Sequence, residues 1–361
     1  GSELIVFAEE TYTGKSDSIE KIKEKFWTKN RHPHVGGMEL TPYCNLQCVH
    51  CYLQDQKKKD LLSTEQIKAI IDKLFDAGVL FLYFTGGEIF TRTDFLTIYK
   101  YAKRKGFIVE LLTNGTLITQ EAIDVFEELP PASISISMYG KDEESYQRVT
   151  GKKGMYNKVI NTFELLFQHE IHFEIKYIGM QENQDDFFEI RSLAEKYGAE
   201  FSYSMELFPT LNGNGCTKNH MISLEKIIEI ESKIPGKKEE YRKLAEIENP
   251  FKNRQEIPLY LCDMAISNFL VDYQGYINPC HKCRMKKWNL LTDDFETAWN
   301  DYASLLKERA SKNNKCLKCK YLMMCSPCVV VNYLSTGDYN KPAETVCRLT
   351  QMRVEMSHSN D

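Results

Sequence analysis

The chain lacks any long hydrophobic run, any recognisable export signal, any internal repeat and any low-complexity tract. No apolar stretch approaches the roughly 20 residues of a membrane helix, which speaks against a membrane-spanning protein. The opening GSELIVFAEE has no Met, so Gly1-Ser2 reads as a cloning remnant with native residues missing ahead of it. A basic excess is missing too. Lys and Arg number 46 against 51 Asp and Glu, for a net charge of -5, which argues against a nucleic-acid partner. The run Lys57-Lys58-Lys59 reads as a solvated loop. Cysteine, by contrast, is abundant, at twelve in 361 residues. Without an export signal this implies a reducing, cytoplasmic setting, where cysteine clusters mean metal or redox chemistry more often than disulfides. Three cysteines fall between Thr41 and Gln54, Cys216 stands alone, and eight lie between Cys262 and Cys347.

The length and the 42% hydrophobic content suit one large domain with an appendage, or two domains. From residue 38 the chain alternates short apolar runs with amphipathic helical patterns. MELT (38–41), VLFLYFT (79–85), FIVELLT (107–113), ASISIS (132–137), HFEIKYIG (172–179) and EFSYSME (200–206) read as strands. Helices are expected over 63–78, where Ser63 and Gln66 form a capping box, and over 94–106, 119–129, 155–169 and 185–197. Six β-α units predict an α/β fold with a parallel sheet and right-handed crossovers. Six are fewer than the eight of a closed barrel, so a partial (β/α)6 barrel is expected, with its chemistry at the carboxyl ends of the strands. FPTLNGNGCTKNH (208–220) reads as a loop, and charged segments to about 255 as helices and a linker. The cysteine-rich remainder cannot bury a large core, so metal is expected to hold it together.

Cys44, Cys48 and Cys51 follow the first strand with spacings of three and two residues. Three thiolates can hold three irons of a [4Fe-4S] cluster, which is normally bound by four cysteines. The fourth iron then stays open, as catalytic metal sites do. The alternative is a zinc site completed by His50 or a distant residue. FTGGEIF (84–90) ends the second strand: Gly86 and Gly87 would let backbone approach a ligand, and Glu88 offers an acceptor for an ammonium, although a plain turn with a surface Glu also accounts for the tripeptide.

CxxxCxΦC, with His50 at Φ, resembles the signature of the radical S-adenosylmethionine (SAM) superfamily, and the resemblance runs over about residues 38–206. It implies that the open iron chelates the amino and carboxylate groups of SAM, and that reductive cleavage gives a 5'-deoxyadenosyl radical that abstracts a substrate hydrogen. It makes Gly86, Gly87 and Glu88 the site of the SAM amino group and places Asn114, in LLTNGTLI, near the SAM pocket. It gives the ribose a polar contact on the fourth strand, for which Ser137 is favoured over Ser135. Arg148, in SYQRVTGKKGMYNKVI, would pair with the SAM carboxylate, or else be an exposed helix arginine. Lys176 is a further pocket candidate. Met205 is assigned no role, since core packing and an apolar floor for adenine explain it equally.

The tail reads C, then Gly275-x4-Cys280, then CLKCKYLMMCSPC (316–328), then Cys347. This order resembles the SPASM extension of radical SAM enzymes, which carries two auxiliary [4Fe-4S] clusters, three clusters in all. The resemblance assigns Cys316, Cys319, Cys325 and Cys347 to the distal cluster, and Cys262, Cys280 and Cys328 to the one nearer the active site. The spacing from Cys325 to Cys328 is x2 where the family has x3. The further cysteine that some relatives carry before the first is absent from QEIPLY (255–260). The proximal cluster therefore keeps an open iron or recruits Cys283. Cys216 is a buried free thiol, a ligand or an active-site group. The expected organisation is an extension at 1–37, the barrel at 38–235, and a linker with the SPASM domain at 236–361.

The leading expectation is a radical SAM peptide maturase, crosslinking a ribosomal precursor peptide by a thioether or another bond, with an external electron donor. A formylglycine-generating enzyme like the sulfatase maturases, radical SAM chemistry on a small molecule, and a non-enzymatic iron-sulfur carrier or zinc module are the alternatives. Residues 1–37 are too short for a leader-binding module. DSIEKIKEKFWTK (17–29) is expected to be an amphipathic helix on the barrel, and leader recognition to fall to a separate partner protein, a missing segment, or no such domain.

Overall fold

The computed structural model describes residues 31–53, 62–211, 216–254 and 256–359. The helix expected at 17–29, the Lys57–Lys59 run and the side chain of Cys216 lie outside the described residues.

The β-α alternation is realised. Strand β1 (Val35–Glu39) leads through the cysteine loop to α1 (Thr64–Asp76), then β2 (Phe81–Thr85), α2 (Phe95–Lys105), β3 (Ile108–Thr113), α3 (Gln120–Glu128) and β4 (Ser133–Met138). Two helices follow, α4 (Glu143–Thr150) and α5 (Tyr156–Gln168), then β5 (Glu174–Ile178), α6 (Phe187–Lys196) and β6 (Glu200–Ser204). The capping box of α1 forms as expected: Ser63 accepts from Gln66 N–H, and the Gln66 side chain accepts from Ser63 N–H. Its apolar stripe, Ile67, Ile70, Ile71 and Leu74, is wholly buried.

The six strands are parallel and in sequence order. Their side-chain alternation separates two faces. Leu82, Phe84, Val109, Leu111, Ile134, Ile136, Ile175 and Tyr177 are buried on one face. The other face carries Tyr83, Glu110, Ser135, Ser137, Glu174, Lys176 and Ser202, with Ser135 opposite Glu174 and Ser137 opposite Lys176. A parallel sheet covered on both sides usually reads apolar throughout. The polar face here marks the lumen of the partial barrel.

Two expectations change. The first strand spans 35–39 rather than 38–41, because Gly36 and Gly37 are poor strand formers in isolation and β2 and a later strand supply the ladder on either side. The sheet also does not stop with the barrel. Helices α7 (Leu224–Ser232) and α8 (Lys237–Glu246) intervene, after which β7 (Asn268–Val271) adds parallel to the free edge of β1. Strands β8 (Tyr276–Asn278) and β9 (Trp288–Asn289) continue antiparallel, giving a nine-stranded sheet in the order β6-β5-β4-β3-β2-β1-β7-β8-β9. Part of the segment expected to form a separate C-terminal unit is thus continuous with the barrel sheet. Helices α9 (Phe295–Asp301), α10 (Leu322–Cys325), α11 (Val329–Thr336) and α12 (Glu344–His358) complete the chain, with α12 packed on α7 and α8.

Candidate functional site

The cysteine loop leaves the carboxyl end of β1 and is fixed from three directions. The turn after β2 donates to it twice, from Gly87 N–H to the Thr41 carbonyl (2.8 Å) and from Glu88 N–H to the Tyr43 carbonyl (2.7 Å). The end of α4 accepts from it twice, at Thr150 from Gln47 N–H (2.9 Å) and at Val149 from Val49 N–H (3.0 Å). The turn after β3 reaches it through Asn114, whose amide donates to Asn45 Oδ1 (2.9 Å) and lies 3.7 Å from Cys44 Sγ. Cys44, Cys48 and Cys51 therefore sit where three strand ends converge, and their thiols interact with one another.

Gly86, Gly87 and Glu88 pack against the cysteine loop and the turn after β3. A Cβ on Gly87 would lie 2.1 Å from the Tyr43 carbonyl oxygen, and one on Gly86 2.4 Å from that of Thr41, with Gly86 at φ +139. The glycines let two strand-end turns of the same chain touch, a role that needs no ligand. Glu88 is no surface residue, being 1% exposed. Its Oε1 accepts from Phe90 N–H (3.1 Å) and Thr113 Oγ1 (2.7 Å), and its Oε2 from Asn114 N–H (2.7 Å). One acceptor position remains at Oε2. Burial raises the Glu88 carboxyl above the usual range, against those three donors.

Asn114 is buried, and its Oδ1 accepts from Thr116 N–H and Oγ1. Ser135 donates to Glu174 (2.6 Å), whereas Ser137 lies beside Tyr139, itself against Cys48. Lys176 lies across the lumen face from Ser137 and acts on Glu110 and Glu174. Arg148 lies on the last turn of α4, next to the two carbonyls that hold the cysteine loop. It is about half exposed on α4 and donates to Glu144 (3.1 Å) and the Glu182 carbonyl (3.1 Å). Met205 joins the wall of a cavity of about 560 Å³ beside β6, with Glu206, Phe208, Lys282, Cys325 and Cys328. Sequence reasoning missed Asn45, Thr113, Thr116 and Tyr139. Only their neighbourhood to Cys44, Asn114 and Ser137 in the chain pointed to them.

The eight tail cysteines fall into two groups of four. Cys262, Cys280, Cys283 and Cys328 interact mutually, as do Cys316, Cys319, Cys325 and Cys347. Burial pushes the thiols up, Cys44 and Cys316 to about 11 and Cys283 to about 12, with Cys48, Cys262, Cys280, Cys325 and Cys347 also raised. A bare thiolate is costly in such places, and a bound iron cation offsets that cost. The donor sets thus fit iron-sulfur clusters. Among the described residues no three His, Cys, Asp or Glu side chains converge as one metal ion requires. His50, proposed above as a zinc ligand, is half-buried against Tyr139 and held neutral, at about 4, chiefly by desolvation.

A parallel α/β sheet with a three-thiol loop at its carboxyl edge defines an enzyme that holds a site-differentiated iron-sulfur cluster. Residues 38–194 match the Radical SAM superfamily model. It is 27% identical to the AdoMet-dependent heme synthase of Methanosarcina barkeri, over 85% of this chain and 94% of that protein. It is 35% identical to the antilisterial bacteriocin subtilosin biosynthesis protein AlbA of Bacillus subtilis, over 48% of this chain and 39% of that protein. The crystal structure of Streptococcus suis SuiB bound to precursor peptide SuiA shares the fold, at 17% identity and a TM-score of 0.71, covering 92% of this chain and 80% of that one. A [4Fe-4S] cluster and SAM are the cofactors of this class. No helix among the described residues is long and apolar enough to cross a membrane.

Proposed function

We propose that the enzyme crosslinks a ribosomal precursor peptide, by a thioether or another bond, using three [4Fe-4S] clusters and an external electron donor. When bound, the cluster at Cys44, Cys48 and Cys51 and its SAM supply the 5'-deoxyadenosyl radical that abstracts a substrate hydrogen atom. The chain's own part is to hold and shield. Asn114 and Asn45 fix Cys44, Glu88 ties the turns after β2 and β3 together, and Ser137 and Lys176 present polar groups from the lumen face. Gly86 and Gly87 keep the β2 turn pressed on the cysteine loop. The tail cysteines hold two auxiliary clusters.

The observation that carries the peptide reading is the unclosed sheet. Among the described residues strand β6 ends the sheet without a further partner in its ladder, and the 560 Å³ cavity runs along it from Phe201 to Glu206 toward Cys325 and Cys328. An extended chain needs such a long open side, and AlbA, matched over 48% of this chain, is by name a bacteriocin biosynthesis protein. A leader-binding partner protein belongs to the same reading.

The test is mass spectrometry of a candidate precursor peptide after anaerobic incubation with SAM and reductant. Loss of two hydrogens per crosslink, with 5'-deoxyadenosine formed, is expected. A second reading, a tetrapyrrole substrate, is favoured by the heme synthase similarity, which covers far more of both chains. If an iron porphyrin raises 5'-deoxyadenosine output and peptides do not, the peptide assignment fails and the radical chemistry stands.

A further inference from the structure

We infer that Cys283 is the fourth ligand of the proximal auxiliary cluster, so that Cys262, Cys280, Cys283 and Cys328 close its cage and leave no iron open to a substrate thiolate. This rests on the proposal above that the tail binds two clusters.

The seven-cysteine pattern leaves this cage one ligand short, and the usual upstream position offers none. The stretch before Cys262 instead supplies Ile257, Leu259 and Tyr260 to the core. The eight described tail thiols divide four and four, with none left over. Cys283 is also held in place. Its N–H donates to Cys280 Sγ (3.3 Å), the turn that brings both thiols of a CxxC to one side. The next residue, Arg284, forks onto the buried Glu39 at the end of β1 (2.6 and 3.0 Å) and donates to the His281 carbonyl (2.8 Å). Asn278 Oδ1 accepts from Met285 N–H (2.9 Å) and Lys286 N–H (3.2 Å). The turn over 278–286 is therefore pinned to the strand that also launches the Cys44 loop. Between the two cysteines, Lys282 places its ammonium 3.2 Å from the centre of the Phe208 ring and acts on Cys262, Cys280 and Cys328.

The experiment uses the full chain with Cys44, Cys48 and Cys51 replaced by Ala, which removes the one cluster expected to be open. Reconstituted anaerobically, it should bind about eight irons, four per cluster. Cyanide, which binds an open cluster iron, should leave the electron paramagnetic resonance spectrum of the reduced protein unchanged. Adding Cys283→Ala should make one of the two signals respond to cyanide. Mild oxidation of that variant should release about one iron of eight and give a [3Fe-4S] signal. A second measurement needs no substitution: iodoacetamide should spare Cys283 in the loaded wild-type protein and modify it after iron removal. Labelling of Cys283 in the loaded protein, or a cyanide response with Cys283 present, overturns the inference while leaving the two-cluster proposal standing. A tail that takes up no iron overturns both.

Discussion

The barrel and the segment from 311 to 343 hold together by different means. In the barrel, each strand from β2 to β5 contributes large side chains with almost no exposure, and α1, α2, α3 and α5 lay their apolar stripes on them. Burial of one such side chain contributes about 1.5–3 kcal/mol, so the sheet is self-sufficient. The cysteine segment has short helical turns, a four-residue α10, and few fully buried apolar residues. Polar ties fill in: Asn249 donates to the Leu317 and Cys319 carbonyls (3.0 Å each). On the proposed function, the scaffold that aims a radical is built without metal, whereas the segment proposed to carry auxiliary clusters is built around it.

Stripping iron should break this contrast open, and it is the largest effect expected. After anaerobic chelation of the full chain, amides over 311–343 should lose hydrogen-exchange protection by more than about 100-fold, because metal binding there is folding free energy. Amides of Leu111, Ile136 and Ile175 should keep theirs. Helix α12 should also persist, since Arg353 bridges Glu231 of α7 (2.8 and 2.9 Å) and Glu206 (3.0 Å) independently of any cluster. Uniform loss across both regions would show that the barrel is metal-dependent too.

The next effect is confined to the barrel side. Glu88→Gln keeps the shape but sets an amide NH2 against N–H or O–H donors where a carboxylate oxygen accepted. Leaving such a buried donor unsatisfied costs about 1–3 kcal/mol. Denaturant unfolding of the full chain should show that loss, and the iron held by Cys44, Cys48 and Cys51 should become easier to remove. Tail iron should stay unchanged. Normal stability combined with weak SAM binding would mean that the carboxylate faces the ligand rather than the turns.

Most of the scaffold was legible in the sequence, since periodicity placed six strands and five of the six helices between them within a few residues, missing α4 (Glu143–Thr150). What escaped were features set by distant partners. The glycine-rich first half of β1 is extended because Phe81 and Asn268 flank Val35 on both sides. The four residues of β7 carry no signal that they join the barrel edge. At the site, the sequence offers Glu88 as an acceptor for the SAM ammonium, and nothing local announces that Phe90, Thr113 and Asn114 converge on it. Arg148 stood open between the SAM carboxylate and an exposed helix position, and only folding reveals Glu144 and Glu182 as partners. Cys283 remained open for the same reason, as a CxxC can serve either metal or nothing until its neighbours are known.

The smallest effect tests the seam between barrel and tail. His32 and His34 stack at 4.5 Å just before β1, where His32 N–H donates to the Ile266 carbonyl and the His34 carbonyl accepts from Phe81 N–H. Burial lowers both imidazoles, His34 to about 4 with a further push from His32. Each is thus neutral in the folded protein, while unfolded histidine titrates near 6.5. With folded values depressed, their contribution is complete above about pH 6.5 and is lost as pH falls toward 4, because the unfolded chain takes up protons first. Both rings are only half-buried, so solvent screens the charge and the loss should stay below about 1 kcal/mol. Thermal unfolding at pH 7.5 and 5.5 should show a small drop that the double variant His32→Gln, His34→Gln reduces. An equal drop in both proteins would move the acid sensitivity elsewhere, and the seam would then be held by its backbone ladder alone.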